Sequence, residues 1–117
     1  MESKVKVSVL GATGMVGQQF IQLLDNHPWF DVADVAASER SEGMKYSDAI
    51  KNSWVMEKEV PQGVRELIVR NVKDFDKIPK DVKCIFSAMD LPNKQDTRLL
   101  EFEYANSGFY LISNSSA

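Results

Sequence analysis

The feature that most constrains this fold is a short apolar run that leads directly into three evenly spaced glycines. Residues 5–10 read VKVSVL and the following residues read GATGMVG, which places glycine at positions 11, 14 and 17. Glycine permits a tight chain reversal and lets bare backbone approach a ligand closely. Apolar residues then recur at the spacing of one helical face, at Val16, Phe20, Leu23 and Leu24. The segment therefore predicts a strand, a glycine-rich turn and a helix.

A glycine-rich turn before a helix is a common binding site for phosphate groups. The start of the helix offers unpaired N–H groups and the positive end of its dipole to an anion. The spacing here is G-x-x-G-x-x-G, whereas the usual dinucleotide fingerprint is G-x-G-x-x-G, so the prediction depends on the flanking strand and helix. An ordinary strand-to-helix turn is the alternative. The residues that we predict to bind a dinucleotide here are Gly11, Thr13, Gly14, Met15, Val16 and Gly17.

Further apolar runs suited to strands alternate with helical patterns along the chain. The predicted strands are Val5–Leu10, Val32–Ala37, Leu67–Val69, Val82–Ala88 and Phe109–Ser113. Helices are predicted over about residues 14–26, ending before Pro28, and over about residues 93–106. Buried strands that alternate with helices favour a parallel sheet with right-handed crossovers. We expect an α/β fold, a Rossmann-like doubly wound parallel sheet in the order 3-2-1-4-5 with helices on both faces.

Two segments carry more detailed expectations. In the long second helix the pattern places Leu99, Phe102 and Ala105 toward the core, with Gly108 as the residue after the helix end. Between the second and third strands, residues 38–66 form an insertion. One short helix is predicted there from Tyr46, Ala49, Ile50 and Trp54, and Pro61-Gln62-Gly63 is expected to break the chain.

Length, charge and cysteine content limit the classes of function. The 117 residues suit one dinucleotide-binding domain, 1–117, and leave no room for a second full domain. The net charge of −3 and the lack of a Lys/Arg block argue against nucleic acid as a partner. No apolar stretch approaches the roughly 18 residues of a membrane span, and no signal peptide is visible. A single cysteine is compatible with a reducing compartment, so we expect a cytoplasmic protein.

Ligands of such a sheet bind outside the carboxyl ends of the strands, near the point where the strand order reverses. An NAD site usually places an acidic residue at the end of the second strand, about 20 residues after the glycines. This chain has Ser38 there, followed by Glu39, Arg40 and Ser41. A guanidinium flanked by hydroxyls suits the 2′-phosphate of NADP, so we predict NADP bound by Ser38, Arg40 and Ser41. Glu39 could instead bind a ribose hydroxyl and favour NAD. The other alternative is a solvated turn that binds no ligand.

Other polar residues follow the fourth and fifth strands. Ser87 and Ala88 are small enough for backbone to pass close to the nicotinamide ribose, although a serine at a strand end is equally common. Asn114 could bind the carboxamide or simply form a turn. Cys84 lies in the middle of a strand, where burial makes a thiol inert. His27 is placed at a helix end and is not expected to be catalytic. We predict no catalytic residue and no metal site in this chain.

These residues together resemble the N-terminal dinucleotide-binding domain of the aspartate-semialdehyde dehydrogenases of archaea and fungi. The resemblance covers nearly the whole chain, and the segments AASERS and ISNSSA are more selective than the glycine turn. The matching segments are residues 10–18 (LGATGMVGQ), 26–28 (NHP), 36–41 (AASERS) with 45–46 (KY), 85–88 (IFSA) and 112–117 (ISNSSA).

The resemblance implies an NADP-dependent interconversion of aspartyl phosphate and aspartate semialdehyde, on the route to lysine, methionine, threonine and isoleucine. In this family a cysteine thiolate attacks the acyl phosphate, NADPH delivers hydride to the thioester, a histidine assists, and arginines hold the substrate. The resemblance places residues 13–16 on the pyrophosphate, Ser38, Arg40 and Ser41 on the 2′-phosphate, and Ser87 and Asn114 near the nicotinamide. It also implies that the full-length enzyme is a homo-oligomer.

The family's cysteine, histidine and arginines have no counterpart in this chain. We therefore expect a domain that binds the cofactor without completing the reaction, and an exposed apolar patch where the catalytic domain would pack. Related reductases of N-acetyl-glutamyl phosphate or malonyl-CoA are alternatives with the same chemistry. A stand-alone NADP-binding module is an alternative of another class.

Overall fold

Five parallel strands form one sheet in a computed structural model that describes residues 4–89 and 93–113. The order is β3-β2-β1-β4-β5, as the sequence predicts, and every pairing is parallel. The reversal of strand order lies between β1 and β4, beside the glycine-rich turn. The strands are β1 (Val5–Leu10), β2 (Phe30–Ala37), β3 (Arg70–Asn71), β4 (Val82–Ser87) and β5 (Tyr110–Ser113).

Helices cover both faces of the sheet because alternate residues of each central strand point to opposite sides. One face packs against α1, α2 and α3, and its core includes Val9, Val35 and Phe86. The other face packs against α4, through Tyr104 and Ile85. The helices are α1 (Met15–Leu24), α2 (Tyr46–Ala49), α3 (Gln62–Arg65) and α4 (Lys94–Asn106), with one 3-10 turn at Phe75–Lys77.

The third strand is not where its apolar run predicts. The expected strand was Leu67–Val69, but the parallel pairing with β2 is made by Arg70–Asn71. The apolar run instead bonds to the insertion: the Tyr46 amide donates to the carbonyl of Leu67. An isolated antiparallel bridge joins Lys45 to Ile68 in the same region. The backbone groups of this apolar run therefore bond to the insertion, and not to β2 as the sequence pattern predicts.

The buried face of α4 also differs from the prediction. Leu99, Phe102 and Ala105 are exposed, and the helix buries Thr97 and Tyr104 instead. Tyr104 points inward because its hydroxyl donates to the carbonyl of Val72 at 2.6 Å and accepts from Arg70 at 2.8 Å. A buried hydroxyl with two partners thus outweighs the apolar pattern of the helix.

Smaller features follow the prediction in part. In α1, Leu24 is buried as expected but Leu23 is 72% exposed. Gly108 has φ +97° and follows the end of α4, as predicted for a glycine after a helix. The short helix expected in the insertion is α2, whereas the chain does not break at Pro61 but begins α3 there.

Apolar side chains are exposed at the β5 edge of the sheet. Phe102 of α4 is 63% exposed, and Tyr110 of β5 is 78% exposed. Leu99, also on α4, and Ile112, also on β5, are exposed as well. The single exposed patch expected against a further domain stays a prediction, because Tyr110 and Ile112 share the α1 side of the sheet with their partners Cys84 and Phe86, whereas α4 packs on the other side. No helix in the described ranges is long and apolar enough to cross a bilayer.

Candidate functional site

Two of the three glycines in the turn are required by the packing of the protein itself. Gly11 follows β1 with φ +73°, and a Cβ there would lie 2.7 Å from the carbonyl oxygen of Ala88. A Cβ on Gly17 would lie 2.0 Å from the carbonyl oxygen of Gly11. Neither distance is compatible with a side chain, so these glycines let β1, α1 and the end of β4 approach one another closely.

Gly14 has no such internal requirement. It is exposed, its φ is −80°, and a Cβ there would find only the carbonyl oxygen of Gly11, at 3.7 Å. That distance is an ordinary van der Waals contact. The missing side chain instead leaves the start of α1 open to a ligand, which suits the close approach of a phosphate to the backbone.

The start of α1 has free hydrogen-bond donors. Gly14 is the N-cap residue, no side chain among the described residues caps the helix, and its first turn carries no acidic residue. The first N–H groups of a helix, here those of Met15 and Val16, have no acceptor within the helix. Together with the helix dipole they form a binding site for an anion. The residues present therefore fit the pyrophosphate of a dinucleotide.

The carbonyl groups of the same turn are held by side chains behind it. The hydroxyl of Tyr46, in α2, donates to the carbonyl of Ala12 at 2.7 Å. The Gln18 amide nitrogen donates to the carbonyl oxygens of Thr13 at 2.9 Å and Ser53 at 3.0 Å. Burial raises the pKa of Tyr46, so its hydroxyl stays protonated and donates. The insertion thus fixes the shape of the glycine-rich turn.

Gln18 and Tyr46 were not assigned this role from the sequence. The available signal is that Gln18 is a polar residue on the buried face of an amphipathic helix. Such a side chain needs hydrogen-bond partners inside the protein. Its oxygen accepts from the amide of Val55 at 2.9 Å, which completes its bonding.

A cavity of about 200 Å³ lies at the carboxyl ends of the strands and brings several predicted residues together. It is smaller than the roughly 300–1,000 Å³ of typical ligand pockets, so it would hold part of a dinucleotide. Its lining residues come from the ends of β1, β2, β3 and β4: Gly11, Thr13, Gly14, Ala37, Ser38, Val72, Ala88 and Met89. Five of the predicted cofactor-binding residues are therefore neighbours in space.

A larger cavity, of about 370 Å³, lies at the other end of the sheet and contains none of the predicted residues. It is bounded by the end of α1, near Asn26, and by the start of α3, at Gln62. We assign the site to the smaller cavity because the glycine-rich turn and the open start of α1 lie there.

The serine–arginine turn lies at the edge of the smaller cavity. Ser38 lines it, whereas Arg40 and Ser41 belong to the same tight turn without lining it. The turn is closed by the Ser41 amide, which donates to the Ser38 carbonyl at 3.1 Å. Arg40 is exposed and forms no ion pair within the described part of the chain. Its guanidinium is therefore available to an external anion, as is expected of a residue for a 2′-phosphate.

Of the remaining predicted residues, some face the cavity and others do not. Ala88 lines the cavity, but the hydroxyl of Ser87 is buried and donates to Glu101 at 2.6 Å, so it does not face the ligand. Met15 is exposed and Val16 is half-buried, so both can offer their backbone amides. Asn114 lies outside the described residues.

Cys84 is placed as the sequence predicts, in the core beneath α1. Burial raises the pKa of its thiol, so the thiol remains protonated near neutral pH. We expect iodoacetamide to modify native Cys84 only as fast as the chain unfolds, and to modify it rapidly in urea. Mass spectrometry of time points with and without urea tests this, with free cysteine as the control. Rapid labelling of the native chain would contradict the inert role.

No group of histidine, cysteine or carboxylate side chains in residues 4–89 and 93–113 could hold a metal ion. His27 does not lie near the cavity at the strand ends. Its ring nitrogen accepts from the Trp29 amide at 3.0 Å, and the ring packs on Phe30. The described residues around the cavity thus offer binding groups for a phosphate-rich ligand, and neither Cys84 nor His27 lines that cavity.

A ligand with its phosphates at the start of α1 would reach Ser38 on one side and Ala88 on the other. This arrangement is that of the dinucleotide-binding α/β domains of the Rossmann type, and the chain is a member of that class. Residues 6–117 match the model of one family in particular, described as semialdehyde dehydrogenase, NAD binding domain. The chain belongs to this family.

Individual relatives agree with this assignment. The chain is 42% identical to the aspartate-semialdehyde dehydrogenase of Archaeoglobus fulgidus over 97% of its own length and 31% of that protein. It is 36% identical to the enzyme of Saccharomyces cerevisiae, over 98% of this chain and 30% of the relative. Aspartate-semialdehyde dehydrogenase from Candida albicans, solved with NADP, superposes with a TM-score of 0.83 at 34% identity, over 97% of this chain and 30% of that one. The chain thus spans about a third of the length of its relatives.

Proposed function

We propose that this chain is the NADP-binding domain of an aspartate-semialdehyde dehydrogenase. The complete enzyme would reductively dephosphorylate L-aspartyl 4-phosphate to aspartate semialdehyde, and would act as a homo-oligomer. The observation that carries the proposal is the cavity where the glycine-rich turn, Ser38 and Ala88 meet, beside the turn that carries the exposed Arg40. The curated relatives and the Candida albicans structure with NADP support it.

The residues of this chain would bind and orient the cofactor, which supplies hydride when bound. The amides of Met15 and Val16 would hold the pyrophosphate. Ser38 and Arg40 would hold the 2′-phosphate, and Ala88 would let the dinucleotide pass close to the end of β4. The reacting thiol would belong to the rest of the enzyme, because Cys84 is buried beneath α1. The acid/base partner of that thiol and the substrate-binding arginines would belong there too.

The cofactor preference can be measured by titrating NADPH and NADH separately into the purified chain. We expect tighter binding of NADPH, because a guanidinium gains charge-assisted hydrogen bonds to a phosphate that a ribose hydroxyl cannot supply. Replacing Arg40 with alanine should weaken NADPH by about 1–3 kcal/mol and leave NADH nearly unchanged. Isothermal calorimetry or nicotinamide fluorescence would give both constants.

Arg65→Ala is a matched control for Arg40→Ala. Arg65 lies in α3, which borders the cavity at the opposite end of the sheet, and it pairs with Glu59 at 3.6 Å. Its removal should leave both affinities unchanged. Equal affinity for the two cofactors in the unmodified chain, or tighter NADH, would contradict the role given to Arg40.

A further inference from the structure

Glu101 of α4 joins the carboxyl ends of two neighbouring strands. One of its oxygens, Oε2, accepts from the hydroxyl of Ser87 at 2.6 Å and from the hydroxyl of Ser113 at 2.7 Å. These serines are the last residues of β4 and β5 and are direct partners in the parallel ladder. Hydrogen bonds to a charged group are the stronger kind. The carboxylate therefore holds both strand ends from the helix that packs on them.

The bond to Ser87 affects the wall of the cavity. Ser87 is fully buried, and the residues that follow it, Ala88 and Met89, both line the cavity. The Ala88 amide donates to the carbonyl of Leu10 at 2.8 Å, which holds it against the glycine-rich turn. The Met89 amide lies 3.5 Å from the Ser87 hydroxyl oxygen. The orientation of the Ser87 side chain thus sets where the backbone enters the cavity.

The ends of β4 and β5, which Glu101 joins, lie on the side of β1 away from β2, where the second half of a dinucleotide must lie. In a sheet of this order the adenosine ribose is bound at the end of β2 and the pyrophosphate at the turn after β1. The remaining nucleoside then continues toward the ends of β4 and β5. Within residues 4–89 and 93–113, the hydrogen bonds of the Glu101 side chain go to Ser87 and Ser113 and not to Ser38 or Arg40.

We propose that Glu101 is a positioning residue for the nicotinamide half of the cofactor. Its carboxylate fixes the ends of β4 and β5 in one arrangement, and so places the backbone of Ala88 and Met89 against the nicotinamide nucleoside. This inference rests on the proposed function of the chain as an NADP-binding domain. Glu101 acts through Ser87 and Ser113 and does not itself contact the cofactor.

The test compares two ligands that share the adenosine half. NADPH carries both halves, whereas adenosine 2′,5′-bisphosphate carries the adenosine and the 2′-phosphate without the nicotinamide. Glu101→Ala leaves a buried serine hydroxyl without its acceptor, and we expect it to weaken NADPH about tenfold while the bisphosphate changes less than about twofold. Glu101→Gln keeps a carbonyl oxygen that can accept both hydroxyls. It should therefore restore most of the NADPH affinity.

Glu103→Ala is the matched control, because Glu103 is an exposed glutamate of the same helix. It should bind both ligands as the unmodified chain does. Equal weakening of both ligands by Glu101→Ala would show a general structural role, and no weakening would remove the role altogether. Loss of affinity in Glu101→Gln equal to that in Glu101→Ala would also overturn the proposal, since a carbonyl oxygen that still accepts both hydroxyls should hold the strand ends.

A second variant keeps the test decisive if Glu101→Ala does not fold. Ser113→Ala removes one of the two donors from an exposed position, and should weaken NADPH in the same direction by a smaller factor. Unchanged NADPH affinity in Ser113→Ala would then overturn the proposal. If the unmodified chain binds neither ligand, the proposed function itself fails. If it binds both and the Glu101 variants do not differ from it, only the positioning role fails.

Discussion

Replacing Gly17 with alanine is expected to lower the free energy of unfolding by about 3 kcal/mol or more, the upper range for forcing an extra methyl group into a packed site. The new Cβ would lie 2.0 Å from the carbonyl oxygen of Gly11 and 2.7 Å from the Cα of Ala12. Both atoms belong to the backbone, so no side chain can move to relieve the overlap. Urea denaturation followed by circular dichroism measures the loss.

Gly14→Ala separates the packing role of the glycines from their binding role. Its Cβ has an ordinary contact at 3.7 Å, so the stability should change by less than about 1 kcal/mol. The methyl group would nevertheless stand at the open start of α1 and weaken NADPH. A Gly17 variant as stable as the unmodified chain would contradict the close packing of α1 on the turn. Unchanged NADPH binding in Gly14→Ala would contradict a close approach of phosphate there.

Replacing Arg70 with leucine should cost about 3–5 kcal/mol, because it leaves the buried carboxylate of Asp34 without its charged partner and with only the Ser8 hydroxyl as a donor. The side chains are only 7% and 8% exposed, and the closest nitrogen and oxygen are 2.8 Å apart. Arg70 also donates to the carbonyl of Asp74 at 2.9 Å and to the hydroxyl of Tyr104 at 2.8 Å. Chemical denaturation of the variant gives the change in the free energy of unfolding.

An exposed ion pair provides the comparison for Arg70. Lys45 and Glu66 are 3.3 Å apart on the surface, and Lys45→Ala should cost no more than about 1 kcal/mol. Changing Asp34 and Arg70 together to leucine should recover much of the stability lost in the single variant, since no unpaired charge remains. A loss in Arg70→Leu as small as that in Lys45→Ala would show that water reaches Asp34.

The glycine-rich turn could be predicted because it depends on a local pattern. The strand order could be predicted because strands that alternate with helices through right-handed crossovers leave few possible arrangements. The bounds of β1, Val5–Leu10, follow from a short run rich in valine that ends at a glycine. The position of β3 could not be predicted in this way. Its apolar run pairs with an insertion more than 20 residues away, and the parallel pairing passes to Arg70, whose charge is compensated by Asp34 on the neighbouring strand.

The candidate site likewise contains residues that could be predicted from the sequence and residues that could not. The residues at the ends of β1, β2 and β4 were predicted to converge, since the carboxyl ends of parallel strands share one edge, and the structure places Gly11, Ser38 and Ala88 around one cavity. Glu101 and Tyr46 were not predicted, because each acts on a strand end or turn that is distant in sequence. Only the three-dimensional arrangement brings their polar atoms within bonding distance.

The way in which α2 and the insertion hold the glycine-rich turn has an electrostatic consequence. The carbonyl oxygens of Gly11, Ala12 and Thr13 accept hydrogen bonds from the Gly14 amide, the Tyr46 hydroxyl and the Gln18 side chain respectively. The negative ends of these peptide dipoles are thereby compensated inside the protein, while the first amides of α1 have no acceptor within the helix. The turn therefore presents a surface of positive potential without a single basic side chain of its own. In a chain with a net charge of −3, attraction for a phosphate can thus arise from the orientation of the backbone alone.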